Sequence, residues 1–310
     1  ALQHWSILSK NTMSVSPLTT HCTPPHGRVL IIAGSDSGGG AGIQGDIKTV
    51  SALGGYAMTA ITALTAQNTQ GVFAVHPIPE DFIAQQISLC LWDIGADAIK
   101  TGMLHSAKVI EKVVANIEFG VRSASEPRAA GVSGEAAKGV RPPSIIPIVV
   151  DPVMVAKGGA PLLEAAALDA LKTLLIRRAT IITPNLPEAE LLLGRSIISD
   201  DAQSTDMKRA AEELLALGCG ALLLKGGHGT GEVLTDILVM HDGTAPVTLS
   251  TPRIATRHTH GTGCAFASAI ATGLAQNLSL EDSVRRAHAY VQAAIARAPG
   301  FGAGNGPLGH

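Results

Sequence analysis

Charge is scarce in this sequence: Asp, Glu, Lys and Arg make up 15% of its 310 residues, and the formal net charge is -2. No basic field exists to hold nucleic acid or an anionic membrane surface, so the expected partner is a small molecule. Cysteine is scarce too. Cys22, Cys90, Cys219 and Cys264 stand apart with no C-x-x-C pair, which argues against a zinc site and a disulfide framework and points to a reducing cytoplasm. No stretch reaches the roughly 18 uninterrupted apolar residues of a membrane span. Residues 1–26 lack the basic start and apolar run of a secretory signal; rich in Ser, Thr, Pro and His, they read as a disordered extension.

Two nucleotide-binding signatures are also missing. The P-loop pattern G-x-x-x-x-G-K-[ST] is absent. The dinucleotide pattern G-x-G-x-x-G, with an acidic residue about 20 positions later, is poorly met where Asp36 follows Gly34 so closely. Phosphates must be held by some other device.

An apolar fraction of 46% can fill a sizeable core. From Arg28 onward, short β-branched runs alternate with longer amphipathic stretches, which is the pattern of an α/β fold with a parallel sheet and crossover helices. Strands are expected at Val29–Ala33, Ala57–Leu64, Ala96–Thr101, Ile145–Val150, Thr180–Thr183 and Ala221–Lys225, with a hairpin of Leu234–His241 and Val247–Ser250. Helices are expected near Gly42–Leu53, Glu80–Trp92, Ala107–Glu118, Leu163–Ile176, Leu186–Leu193, Thr205–Leu217, Gly263–Ala275 and Leu280–Ala298. Residues 120–143, rich in Gly, Ala, Ser, Pro, Lys and Arg, read as a flexible surface insertion. One domain over 27–300 and a tail over 301–310 complete the plan.

Six motifs fall at the ends of these strands. Ala33-Gly34-Ser35-Asp36-Ser37-Gly38-Gly39-Gly40-Ala41-Gly42-Ile43-Gln44 leaves a strand and opens a helix, and its glycines let backbone approach a ligand. His260-Gly261-Thr262-Gly263-Cys264 opens an Ala-rich helix. Unpaired amides and the positive dipole end can there receive a transferring phosphoryl group. Cys264, on the first turn, is expected to have a lowered thiol pKa and to act as general base; a small buried hydrophobe is the alternative. Asp151, in Val150-Asp151-Pro152-Val153-Met154, can orient a magnesium-bound water or be a solvated turn carboxylate. Asn185 and Glu188, in Thr183-Pro184-Asn185-Leu186-Pro187-Glu188, share a helix-start face and serve either a ligand or an ordinary cap. Lys225 and Gly227, in Leu224-Lys225-Gly226-Gly227-His228, suit a nucleotide phosphate or a simple turn. Thr65-Ala66-Gln67-Asn68-Thr69 offers amides that can read a heterocycle.

Taken in order, these motifs resemble the hydroxymethylpyrimidine and phosphomethylpyrimidine kinases of thiamine biosynthesis, over about Val29 to Val291. The resemblance implies a ribokinase-like fold, a mostly parallel central sheet with helices on both faces. It implies two successive phosphorylations with ATP and Mg2+, of 4-amino-5-hydroxymethyl-2-methylpyrimidine and then of its monophosphate. It places Gln67 on the pyrimidine, with Gly34, Asp36, Ala41, Met103 and Val153 around it. Cys264 becomes the catalytic base, with Gly261, Thr262 and Gly263 supplying the anion hole. Lys225, Gly227, Asn185 and Lys157 fall to the nucleotide, and Asp151 and Glu188 to magnesium. Family members are often dimers, so a homodimer is expected, without nucleic acid or membrane as partner. The rival reading is a pyridoxal kinase of the same superfamily, and Gln67 is the discriminating residue; a non-catalytic ligand-binding protein on a kinase fold is the rival from another class.

Overall fold

In the computed structural model, the residues described are 24–125, 146–155, 162–197, 203–227 and 231–310. Among the described residues, nine strands form one sheet: β1 (Arg28–Asp36), β2 (Tyr56–Asn68), β3 (Gly71–Pro77), β4 (Ala98–Thr101), β5 (Ile148–Val150), β6 (Ile181–Ile182), β7 (Ala221–Leu224), β8 (Val233–Met240) and β9 (Val247–Pro252). Their order is β3-β2-β1-β4-β5-β6-β7-β8-β9. The six strands from β2 to β7 pair in parallel, while β3, β8 and β9 run antiparallel at the two edges. Parallel strands covered on both faces need continuous apolar runs, and β1 supplies one in Val29-Leu30-Ile31-Ile32-Ala33, all at most 1% exposed.

The helices are α1 (Gly42–Ala52), α2 (Glu80–Leu89), α3 (Ala107–Ser125), α4 (Ala167–Ala170), α5 (Leu186–Leu193), α6 (Gln203–Leu215), α7 (Thr262–Ala275) and α8 (Leu280–Ala296). Side chains of α1, α7 and α8 fill one core against β1, β4 and β5. Those of α2 to α6 fill a second core on the opposite face. This is the two-faced, mostly parallel layering expected of the ribokinase-like fold. From β1 the chain winds outward to β2 and β3, then returns through α2 to place β4 on the other side of β1. The carboxyl ends of β1 and β4 therefore flank a topological switch point, where open α/β sheets hold their ligands.

Several expected boundaries differ. β2 runs on to Asn68 and turns into β3, whose outer residues, such as Phe73 at 70% exposure, carry no buried apolar period to announce a strand. The expected helix at Leu163–Ile176 starts only at Ala167, because Leu162 and Leu163 donate to Met154 O and Glu164 to His105 O. It continues as a π turn over Leu171–Leu175 and a 3-10 turn over Ile176–Arg178. α3 carries through to Ser125, so the start of the expected insertion is helical. The rest of that insertion, and residues 1–23 of the expected extension, lie outside the described residues. Residues 301–310 are not a loose tail: Leu308 is 4% exposed and the Gly309 amide donates to Ala294 O. Among the described residues, no helix is long and apolar enough to cross a membrane.

Candidate active site

The glycine-rich turn after β1 is organised by Asp36, itself 3% exposed. Its carboxylate accepts the amides of Gly38 (2.8 Å), Gly40 (3.1 Å) and Ala41 (2.8 Å). The same Oδ2 lies 2.9 Å from Nε2 of His260. Asp36 was placed among the substrate contacts, yet its oxygens are taken by the loop, so it shapes the pocket instead of offering a free acceptor. Burial raises its pKa, but the His260 bond and the loop amides outweigh that and hold it below the ordinary 3.8. Asp36→Asn is expected to cost about 1–3 kcal/mol, since one amide oxygen cannot replace a carboxylate facing four donors. A depressed folded pKa gives stability that is complete above 3.8 and lost as pH falls below it. In urea unfolding the gap between native and variant should therefore stand at neutral pH and narrow as the pH falls below 3.8 through the depressed pKa; a gap unchanged by acid would contradict this role.

Gln67 closes the same corner. Its backbone oxygen accepts from Ser37 Oγ at 2.8 Å, its amide donates to that hydroxyl at 2.9 Å, and its side-chain Nε2 sits 3.1 Å from His260 Nε2. Gln44 secures the start of the loop by accepting the Asp36 amide and donating to Ser35 Oγ. At the switch point Gly34 packs on Met103: a Cβ there would lie 2.8 Å from Met103 Cε, so the tip of the methionine would have to move aside. Gly34 thus meets Met103, and Ala41 and Gln67 reach one another through Asp36 and His260. Val153 lies one strand further, lining a small cavity with Gly102 and Asp151.

His260 leads directly into the start of α7. Gly261 is its N-cap, with φ 88, and a Cβ on it would meet Gly40 O at 1.9 Å. Only glycine fits, for both reasons. Thr262 N leans on Thr259 O at 3.4 Å, which leaves the Gly263 and Cys264 amides for a ligand at the positive end of the helix. A Cβ on Gly263 would come 3.3 Å from Lys225 Nζ, so an ammonium group stands beside this anion hole.

Lys225 is paired at 3.2 Å with Asp151, which also accepts from Thr183 Oγ1. Burial opposes the Lys225 charge, but Asp151 and Glu188 outweigh it and hold the amine above its ordinary value. Burial pushes the Glu188 carboxyl up to about 7, with Lys225 pulling against it. Asn185 and Glu188 form a reciprocal capping box on α5, each side chain bonded to the other's amide at 2.9 Å, so the capping alternative is realised. Gly226 must be glycine, since a Cβ would lie 2.1 Å from Thr235 O, whereas Gly227 opens onto free space. Lys157 lies outside the described residues, as does His228.

Cys264 overturns one expectation. Instead of lowering its pKa, the surroundings push the thiol up to about 12: burial dominates, Asp46 and Asp151 add to it, and Lys100 and the Gly42 amide oppose it. The sulfur keeps its proton at neutral pH, although part of the side chain remains open to the crevice.

Beneath it lies a buried pair that the motifs did not announce. Lys100 Nζ bonds both carboxylate oxygens of Asp46 at 2.9 Å, and both side chains are 0% exposed. Ser268, one helical turn beyond Cys264, donates to Asp46 Oδ1 at 2.7 Å. The available signal was a lone lysine in the otherwise apolar core of β4, and an acid on the buried stripe of α1 with Ile43 and Val50.

The Gly34–Met103 contact, the start of α7 and the Lys225 ammonium beside it thus lie at one end of the sheet. A family model described as phosphomethylpyrimidine kinase matches residues 36–124 and 130–309. The chain belongs to that family. It is 43% identical to the hydroxymethylpyrimidine/phosphomethylpyrimidine kinase of Bacillus subtilis, over 91% of this chain and 94% of that one. It is 45% identical, over 92% of its length, to the thiamine biosynthesis bifunctional protein ThiED of Geobacter sulfurreducens, and spans 52% of that longer protein. Among solved structures, an ADP complex of Bacillus subtilis pyridoxal kinase is similar with a TM-score of 0.76 and 32% identity, covering 92% of this chain and 97% of that one.

Proposed function

We propose that the chain transfers the γ-phosphoryl group of ATP to the hydroxymethyl oxygen of 4-amino-5-hydroxymethyl-2-methylpyrimidine, and a second one to the resulting monophosphate. The observation that carries this reading is the contact of His260, the residue before the anion hole, with Gln67: it joins the ring-reading corner to the phosphoryl-receiving helix start. Gln67, Gly34, Ala41 and Met103 orient the ring so that its hydroxymethyl group faces Cys264. The amides of Gly263 and Cys264, with Lys225, take up charge on the transferring group. The hydroxyl proton passes to the thiolate form of Cys264 Sγ, a minority species at neutral pH because burial raises the thiol pKa to about 12. In the second step the nucleophile is a phosphate oxygen, already largely ionised near neutral pH because its second pKa is about 6.

Magnesium fits the carboxylates of Asp151 and Glu188, hard oxygen donors beside Lys225, since this ion commonly takes one or two carboxylates and keeps several waters. When bound, it neutralises charge on the β- and γ-phosphate oxygens. Lys225 and Asp151 hold the pocket floor for the nucleotide.

Calorimetric titration with the pyrimidine and with pyridoxal, each in the presence of ADP, tests the ring assignment. Preference for the pyrimidine is expected in the native protein and should be lost in Gln67→Leu, which leaves the ring's polar edge unpaired. Tighter binding of pyridoxal by the native protein would move the assignment to pyridoxal phosphorylation.

A further inference from the structure

Residues 301–310 cross the rim of the crevice before ending in the core beneath α1. Phe301 is 67% exposed. After it, the Gly304 amide donates to Thr69 Oγ1 at 3.2 Å and the Asn305 amide to Thr69 O at 2.8 Å. Gly306 O accepts the His260 amide at 3.1 Å, and Pro307 pairs with His260 in a parallel bridge. The end is anchored: Leu308 is buried, and His310 Nδ1 lies 3.0 Å from Tyr290 Oη and 3.3 Å from Thr49 Oγ1.

Four glycines make this course possible. A Cβ would lie 2.3 Å from Thr69 Oγ1 at Gly302, 2.1 Å from Thr69 O at Gly304, 2.3 Å from His258 Nδ1 at Gly306 and 2.2 Å from Arg297 O at Gly309. An idle tail has no need of such fitting. Both of its crevice contacts adjoin ring-reading residues: Thr69 stands two positions after Gln67, and His260 itself touches Gln67 and Asp36.

We propose that residues 302–310 form a positioning strap that ties the Thr69 turn to His260 and so holds Gln67 and His260 in register for the pyrimidine ring. The inference rests on the substrate reading above. Because such coupling is reciprocal, a ring that needs the strap must also stabilise it. The nucleotide end, built on Lys225 and α5, makes none of these contacts and should be indifferent.

Two measurements test it. In calorimetry, Gly304→Val should weaken hydroxymethylpyrimidine by about tenfold or more, since misplacement of an orienting group by 1 Å can cost on the order of a hundredfold. ADP should bind the variant within about twofold of native, because the strap's bonds above involve neither Lys225 nor α5. Unchanged pyrimidine affinity, or equal losses for both ligands, would overturn the proposal. Hydrogen exchange on the native chain needs no variant: the pyrimidine should slow the Gly304 and Asn305 amides while ADP alone leaves them as they were. Exchange unaffected by the pyrimidine would overturn it as well. A native protein that binds no pyrimidine at all would defeat the substrate reading and the strap together, whereas native binding matched by Gly304→Val defeats the strap alone.

Discussion

Replacing Cys264 by alanine should lower turnover of hydroxymethylpyrimidine by about 10²- to 10⁴-fold, the usual worth of a positioned general base. ADP affinity should stay nearly native, because the anion-hole amides belong to the backbone and Lys225 is held by Asp151. The defect should be smaller with the monophosphate, whose attacking oxygen needs no base. The raised thiol adds a pH signature. With its pKa near 12, the thiolate is a minority form throughout the neutral range. Its share grows tenfold per pH unit, so the first phosphorylation should accelerate as pH rises from about 7 to 9 while the second changes far less. A first step that ignores pH over that range, or a Cys264→Ala enzyme of native speed, would remove the thiol from the chemistry. Steady-state rates with each substrate decide this.

The second large effect is on stability. Asp46 and Lys100 are fully enclosed; burial opposes the Lys100 charge, but Asp46, with help from Asp151, outweighs it and keeps the amine charged. Changing one partner alone leaves an uncompensated charge in the interior, so Asp46→Asn or Lys100→Met should each cost about 3–5 kcal/mol. That corresponds to a fall on the order of 10 °C in Tm for a chain of this size. The double variant removes both charges and should lose much less than the sum of the two, because the residues are in direct contact. Thermal unfolding of the three variants measures this. Additive losses, or single variants as stable as native, would mean that the pair does not act as one unit. The same pair ties α1 and β4 to α7 through Ser268, one helical turn beyond Cys264.

Local patterns made much of this legible. The apolar run of β1, the Ala-rich α7 and the polar and glycine-rich strand ends each carry their meaning within a dozen residues, and they put Gly34, Gln67 and the helix start at one end of the sheet, whereas Met103 came only through the family resemblance. What was missed depends on distance or on context. His260 and Asp36 are 224 positions apart, and only the fold shows that they share a bond. The Asp46–Lys100 pair joins residues 54 apart, each sitting in a segment whose neighbours read simply as core. β3 escapes because an exposed edge strand needs no buried period. The strap escapes because Gly-rich composition reads as a tail, although its glycines answer to particular backbone atoms. Cys264 differs: its position at the helix start is legible, but burial, with Asp46 and Asp151 adding to it, outweighs the dipole.

The central claim is that one crevice phosphorylates the same pyrimidine twice. Mass analysis of a time course with ATP, Mg2+ and hydroxymethylpyrimidine addresses it directly. The monophosphate should appear first and then give way to the diphosphate as ATP is consumed; formation of neither product, with ATP left intact, would contradict it.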